Sequence, residues 1–269
     1  MLYMDSLQII YEAIAAEGFS AGVLEFIDNY IKAVTNGREN FPQYTLSEHS
    51  GVCKAGAPLI GATVVAGYAR RSLEAGENVA GSQRSVPSNW KIDEAQEKAI
   101  EIWAKAARLW VEDSDIIILR NVGPMIAQGA EAKVYYRSGD PSVVKERASI
   151  YSTTQKALEA IALHNYLFPE TAMLVTGFTR DNDGLMRFIL TQPYVSCKRL
   201  ATVDEIRDMV QSKGFRENNF GQPGVNYISE RIALEDMHPA NVFIDEVTGK
   251  PICIDCIVKF VTRYNLEEI

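Results

Sequence analysis

Residues 234–257 constrain this chain more than any other stretch. They read Leu-Glu-Asp236-Met-His238-Pro-Ala-Asn241-Val-Phe-Ile-Asp, then Glu-Val-Thr-Gly249-Lys, then Pro-Ile-Cys253-Ile-Asp255-Cys256-Ile. Two apolar runs, 242–244 and 252–254, flank a Gly-bearing turn, which predicts a β-hairpin. Asp236, Asn241 and Asp255 then lie at its ends. Asp, Asn and Gly are ordinary turn formers, so their types carry less than their order. An Asp, an Asn five residues on and a second Asp past the next strand can position a hydroxyl and hold Mg2+ on phosphate oxygens. Such chemistry is mostly positioning and charge neutralisation, and oxygen ligands on short strands suit it.

Composition narrows the classes that remain. At 269 residues the chain can bury one large core or two smaller ones. A formal net charge of −8 argues against a broad nucleic-acid footprint. No apolar run approaches the roughly 18–20 residues of a membrane span. The first residues carry Asp5 and no basic-then-apolar pattern, so a cytoplasmic protein is expected. Four cysteines, Cys197, Cys253, Cys256 and Cys53, are too scattered for a disulfide framework. Cys253 and Cys256 form a Cys-x-x-Cys, but on a strand positions i and i+3 face opposite sides. No second Cys-x-x-Cys completes a zinc site. His238 upstream suggests a zinc-deaminase pattern, yet Ala240 stands at its general-acid position. Free thiols are the expectation.

The first third reads as helical, with Leu7, Ile10, Tyr11 and Ile14 at helical spacing and a second helix after Ser20. Residues 56–75 are helical in pattern and rich in Gly and Ala, which predicts close helix packing. A polar loop covers 76–92. Asp93 is expected to cap a helix carrying Ile100, Trp103, Ala107 and Trp110. The period then changes to that of strands, at 116–119, 134–136 and 142–145, with small residues around Gly129 and a central Lys145. A helix over 152–166 carries one acid, Glu159, where an ion-pair partner for Lys145 would lie. Strands at 174–178 and 185–191 cross the turn Asp181-Asn-Asp-Gly184. Gln192-Pro193-Tyr194-Val195 ends regular pairing and could contact an adenine through its backbone. Thr202 caps a further helix through about residue 211.

The ordered set Gly129, Lys145, Glu159, Gln192-Pro193-Tyr194-Val195, Asp236, Asn241, Asp255 resembles the protein-kinase-like fold. Asp236-Met-His238-Pro-Ala-Asn241 resembles the catalytic loop of the aminoglycoside phosphotransferase branch. The text around His164-Asn165-Tyr-Leu-Phe168-Pro169-Glu170, the Gln192-Pro193-Tyr194 segment and the helix before the first strand are more similar to the kinases of bacterial and phage polyvalent proteins. The resemblance covers about 96–257. It implies Asp236 as catalytic base, Asn241 and Asp255 as Mg2+ ligands, Lys145 as phosphate anchor, Glu159 as its partner, and Gly129, Gln192, Tyr194 and Val195 around the nucleotide. His238 shapes the loop. Glu235 stands where protein kinases carry Arg, and Cys256-Ile257 stands where they carry Phe-Gly.

The expected fold is α+β: a bilobal protein-kinase-like domain with a reduced C-terminal lobe and an N-terminal helical region. The helical region covers 1–92 and the kinase-like domain 93–269. Within that domain the N-lobe spans 93–191, the hinge 192–197 and the reduced C-lobe 198–269, with no activation segment expected after Asp255. The expected function is ATP- and Mg2+-dependent phosphoryl transfer to a protein Ser, Thr or Tyr hydroxyl. Transfer to a small molecule, nucleotidyl transfer, and an inactive nucleotide- or partner-binding module are the alternatives.

Overall fold

The computed structural model describes residues 57–78, 88–112, 122–129, 131–218, 224–229 and 232–261. The helices expected within the first 50 residues and the strand at 116–119 lie outside them. The rest is mixed helix and antiparallel sheet, and the chain divides into two compact units. Of the described residues, one holds those up to Glu159 and Leu174–Gln192, the other Ala160–Met173 and those from Pro193.

In the first unit, helix α1 (Ala57–Asn78) packs on helix α2 (Asn89–Ala106). The close approach predicted by the Gly- and Ala-rich sequence is present: a Cβ on Gly61 would overlap the indole of Trp103. Gly61→Val therefore forces these helices apart, and we expect a loss of about 1–3 kcal/mol in denaturant unfolding. Ile100 and Ala104 of α2 are fully buried. Gln96, also fully buried, donates through Nε2 to Ala66 O (3.2 Å) and Gln155 Oε1 (3.2 Å), and accepts from Gln155 N (3.0 Å).

Asp93 does not cap its own helix. α2 starts earlier, after Ser88, and Asp93 Oδ1 instead accepts from Thr154 N and Oγ1 (2.6 Å). Thr154 opens helix α3 (Thr154–Leu167), so the carboxylate sits at the unsatisfied N–H groups of a different helix.

Strands β1 (Met125–Gln128), β2 (Ala132–Tyr135), β3 (Ser142–Ala148), β4 (Leu174–Arg180) and β5 (Met186–Pro193) form an antiparallel sheet in the order β1-β2-β3-β5-β4. β1 was not expected; its four residues are all exposed, so they show no alternation. Arg180 at the end of β4 bonds Glu97 Oε2 (2.7 Å) and Glu101 Oε2 (3.0 Å) of α2. The β4–β5 turn is the predicted one, with Asp181 Oδ1 accepting from Asp183 N and Leu185 N.

Among the described residues, the second unit carries two small sheets. One pairs residues 251–253, 242–245 and 197–200 in that order, and the other 257–260, 232–235, 227–228 and 216–217. The strands are β6 (Cys197–Leu200), β7 (Arg216–Glu217), β8 (Tyr227–Ile228), β9 (Ile232–Glu235), β10 (Val242–Asp245), β11 (Pro251–Cys253) and β12 (Ile257–Phe260). Tyr227, Leu234 and Val242 are wholly buried in it. The expected hairpin is β10–β11, with Val242 opposite Cys253 and Phe243 opposite Ile252. Its turn needs the left-handed φ of 68° that Gly249 adopts.

Thr202 caps helix α4 (Val203–Ser212) as predicted, within a reciprocal capping box with Glu205. Arg199 donates to both Glu205 oxygens (2.6 and 2.8 Å). That guanidinium, with the Thr202 backbone N–H, holds the Glu205 carboxyl down to about 2. A depressed carboxyl stabilises the fold above the ordinary carboxylate range, and the contribution fades as pH falls from there toward 2. A carboxyl NMR titration should place the Glu205 midpoint near 2. Arg199→Ala should move it up toward the ordinary value; an unchanged midpoint would count against the assigned cause.

Candidate active site

β-pairing places the catalytic-loop residues. Ile257 pairs with Glu235, so β9 runs out into Asp236 at the same end of the ladder from which Asp255 enters β12. Asn241 immediately precedes β10, and its carbonyl accepts from Ile254 N (2.9 Å), one residue before Asp255. Three residues from separate stretches therefore converge where two strand pairs meet.

Asp236 holds a left-handed backbone, φ 63°. For a residue with a Cβ this costs of order 1–3 kcal/mol and persists only where neighbours enforce it. Met237 does so, wholly buried, with its N–H donating to Val225 O (2.9 Å). The Asp236 carboxylate is consequently lifted toward solvent, 51% exposed.

Its two oxygens are engaged separately. Asn241 Nδ2 donates to Asp236 Oδ2 (2.9 Å) and Asp236 O (3.0 Å). His238 Nδ1 accepts from Ala240 N (3.2 Å), which places the ring proton of the neutral imidazole on Nε2, facing Asp236 Oδ1 at 3.3 Å. The approach of Asn241 Nδ2 to His238 Nε2 (3.3 Å) is then donor against donor and contributes no hydrogen bond. Each carboxylate oxygen keeps a second lone pair. The arrangement can orient an incoming hydroxyl and receive its proton.

Asp255 is half-buried, and its Oδ1 accepts from Cys256 N (3.0 Å). Cys253 and Cys256 on either side of it are buried.

In the first unit, Lys145 lies in the middle of β3, 5% exposed and opposite Val134. Gly129 is exposed after β1, and its N–H donates to Ala132 O (2.8 Å). Glu159 Oε1 accepts from Gln155 Nε2 (2.9 Å). Burial raises its pKa, and Gln155, Lys156 and Arg70 oppose that rise. Gln192 is buried at the end of this unit. In the second unit Tyr194 is exposed and Val195 half-buried.

Residues 93–262 match the family described as Serine/Threonine/Tyrosine Kinase found in polyvalent proteins. The chain belongs to that family. It is therefore a kinase, and membership implies ATP and a hydroxyl acceptor. No curated protein matches the chain. Among the described residues, no helix is long and apolar enough to cross a membrane.

The match begins at residue 93, where the kinase-like domain was expected to begin, and reaches a few residues beyond the motif-bearing stretch 96–257 at both ends. At its start it takes in Asp93, whose carboxylate caps α3; at its end it takes in β12. Sequence reasoning missed the contact that ties the 3-10 turn Pro169–Thr171 to the hairpin, Thr171 Oγ1 donating to Cys253 O (2.5 Å). The partners lie 82 residues apart, and no local pattern signals such a bond. The turn itself is stapled by Asn165, which bonds Met173 N (2.7 Å) and O (2.9 Å).

Proposed function

We propose that this kinase transfers the γ-phosphoryl group of ATP, with Mg2+, to a Ser, Thr or Tyr hydroxyl of a protein. Asp236 is the base that orients the acceptor hydroxyl and takes its proton on a carboxylate oxygen. Asn241 and Asp255 hold the metal. The donor set fits: Asn241 spends both amide hydrogens on Asp236, so what it has left to offer is the carbonyl oxygen Oδ1, and Asp255 offers a carboxylate. These are the hard oxygens Mg2+ takes. When bound, the ion offsets charge on the phosphates.

Lys145 anchors the α- and β-phosphates, with Glu159 as its carboxylate partner. Gly129 belongs to the turn over the phosphates, and Gln192, Tyr194 and Val195 to the segment that meets the adenine. The observation that carries the proposal is the strained Asp236, held at one oxygen by Asn241 and at the other by His238.

Incubation of the full chain with ATP, Mg2+ and an acceptor protein, followed by intact-mass and peptide analysis, tests it. A mass gain of one phosphate on a hydroxyl side chain is expected. Addition of AMP, or phosphate only on a small-molecule acceptor, would contradict it.

A further inference from the structure

We infer that His164, Cys253 and Cys256 form a binding site for a thiolate-seeking metal ion, Zn2+, with the Met237 thioether beside the Cys253 sulfur. Read as one strand, Cys253 and Cys256 would point to opposite faces. In the fold β11 ends at Cys253 and β12 starts after Cys256. The bend between them turns both sulfurs to one side, where α3 brings His164. The two Sγ atoms and an imidazole nitrogen all lie within 4.8 Å of one another, and all three residues are buried.

The distances suit the ion. Zn–S bonds of about 2.3 Å and Zn–N bonds of about 2.0 Å in a tetrahedron set an N···S edge of about 3.5 Å. Cys256 Sγ and His164 Nδ1 stand 3.6 Å apart.

The surroundings are those of a ligating histidine. His164 Nε2 lies 3.2 Å from Thr171 O. A carbonyl can only accept, so the ring proton is on Nε2 and the Nδ1 lone pair faces the sulfurs. A metal-bound histidine commonly donates its other N–H to a carbonyl in this way. Thr171 also donates through Oγ1 to Cys253 O, so one residue braces two of the three ligands. Met237 Sδ, wholly buried, lies 4.0 Å from Cys253 Sγ. A thioether, two thiolates and an imidazole form a soft donor set, unlike the oxygens at Asn241 and Asp255.

The consequence falls on Asp255, which lies between the two cysteine ligands. An ion bound to both would pin the backbone that carries it. That consequence rests on the role proposed for Asp255; the ion site does not.

The test uses the full chain purified under reducing conditions. Metal analysis should find about one equivalent of Zn2+ per chain, lost in Cys256→Ser. Exchange for Co2+ should give the visible bands of a tetrahedral ion and a near-ultraviolet thiolate-to-cobalt band. Should Cys256→Ser fail to fold, the Co2+ spectrum of the unaltered chain decides alone. Metal below about a tenth of an equivalent with no thiolate–cobalt band, while both thiols stay reduced, would overturn the inference. So would a Cys253–Cys256 disulfide, seen as a mass lower by two hydrogens. A chain that binds Zn2+ yet transfers no phosphate keeps this site and rejects the proposed function; the reverse result separates them the other way.

Discussion

Asp236→Asn should lower the rate of phosphoryl transfer about a thousandfold, within the range a positioned general base contributes. The substitution removes the charge and one acceptor oxygen but keeps the shape. The left-handed backbone remains attainable, because Asn is among the few residues with a Cβ that tolerate it. Met237 still anchors the loop through Val225. Nucleotide binding, followed by the rise in melting temperature with ATP and Mg2+, should therefore persist. A mutant that folds, binds nucleotide and transfers phosphate at the unaltered rate would remove Asp236 from the chemistry. Asp236→Ala should lose the same activity and also suffer a loop penalty, since Ala fits the left-handed region poorly.

Phe178→Ala should destabilise the first unit by about 3–5 kcal/mol, the range for emptying a buried aromatic site. Phe178 is fully buried in β4. Its ring meets Trp103 edge-on at 6.1 Å and Phe188 at 5.8 Å, so one side chain links α2, β4 and β5. Its backbone is also paired, N to Leu109 O and O to Val111 N, both at 2.8 Å. These bonds keep the strand in place and stop it collapsing onto the cavity, which favours the upper part of the range. Urea unfolding followed by tryptophan fluorescence reads the loss through Trp103. A change under about 1 kcal/mol would mean that the site refills from its neighbours.

The parts legible in sequence were those fixed by short-range physics. The β10–β11 hairpin follows from two apolar runs around Gly249, the α4 start from Thr202 and Glu205, and the α1–α2 contact from the density of small residues near Gly61. What depends on long-range pairing stayed hidden. Asp236 and Asp255 converge because β9 and β12 pair, and the residues 257–260 carry no turn signal tying them to 232–235. In sequence Asp93 looks like a cap for the helix it lies in, because capping residues look alike whichever helix they serve; its partner, Thr154, is 61 residues away. Strand periodicity sends the two sulfurs of the Cys-x-x-Cys to opposite faces, but it fails once the strand stops at Cys253. His164 could not be attached to it at all, 92 residues before Cys256.

The most direct test is to incubate the full chain with γ-labelled ATP and Mg2+, beside a sample carrying Asp255→Ala. Label is expected on protein with the unaltered chain and is lost with the mutant. Equal label in both samples would contradict the placing of Asp255 at the metal. Neither label nor a nucleotide-dependent rise in melting temperature in the unaltered chain would contradict phosphoryl transfer by this site.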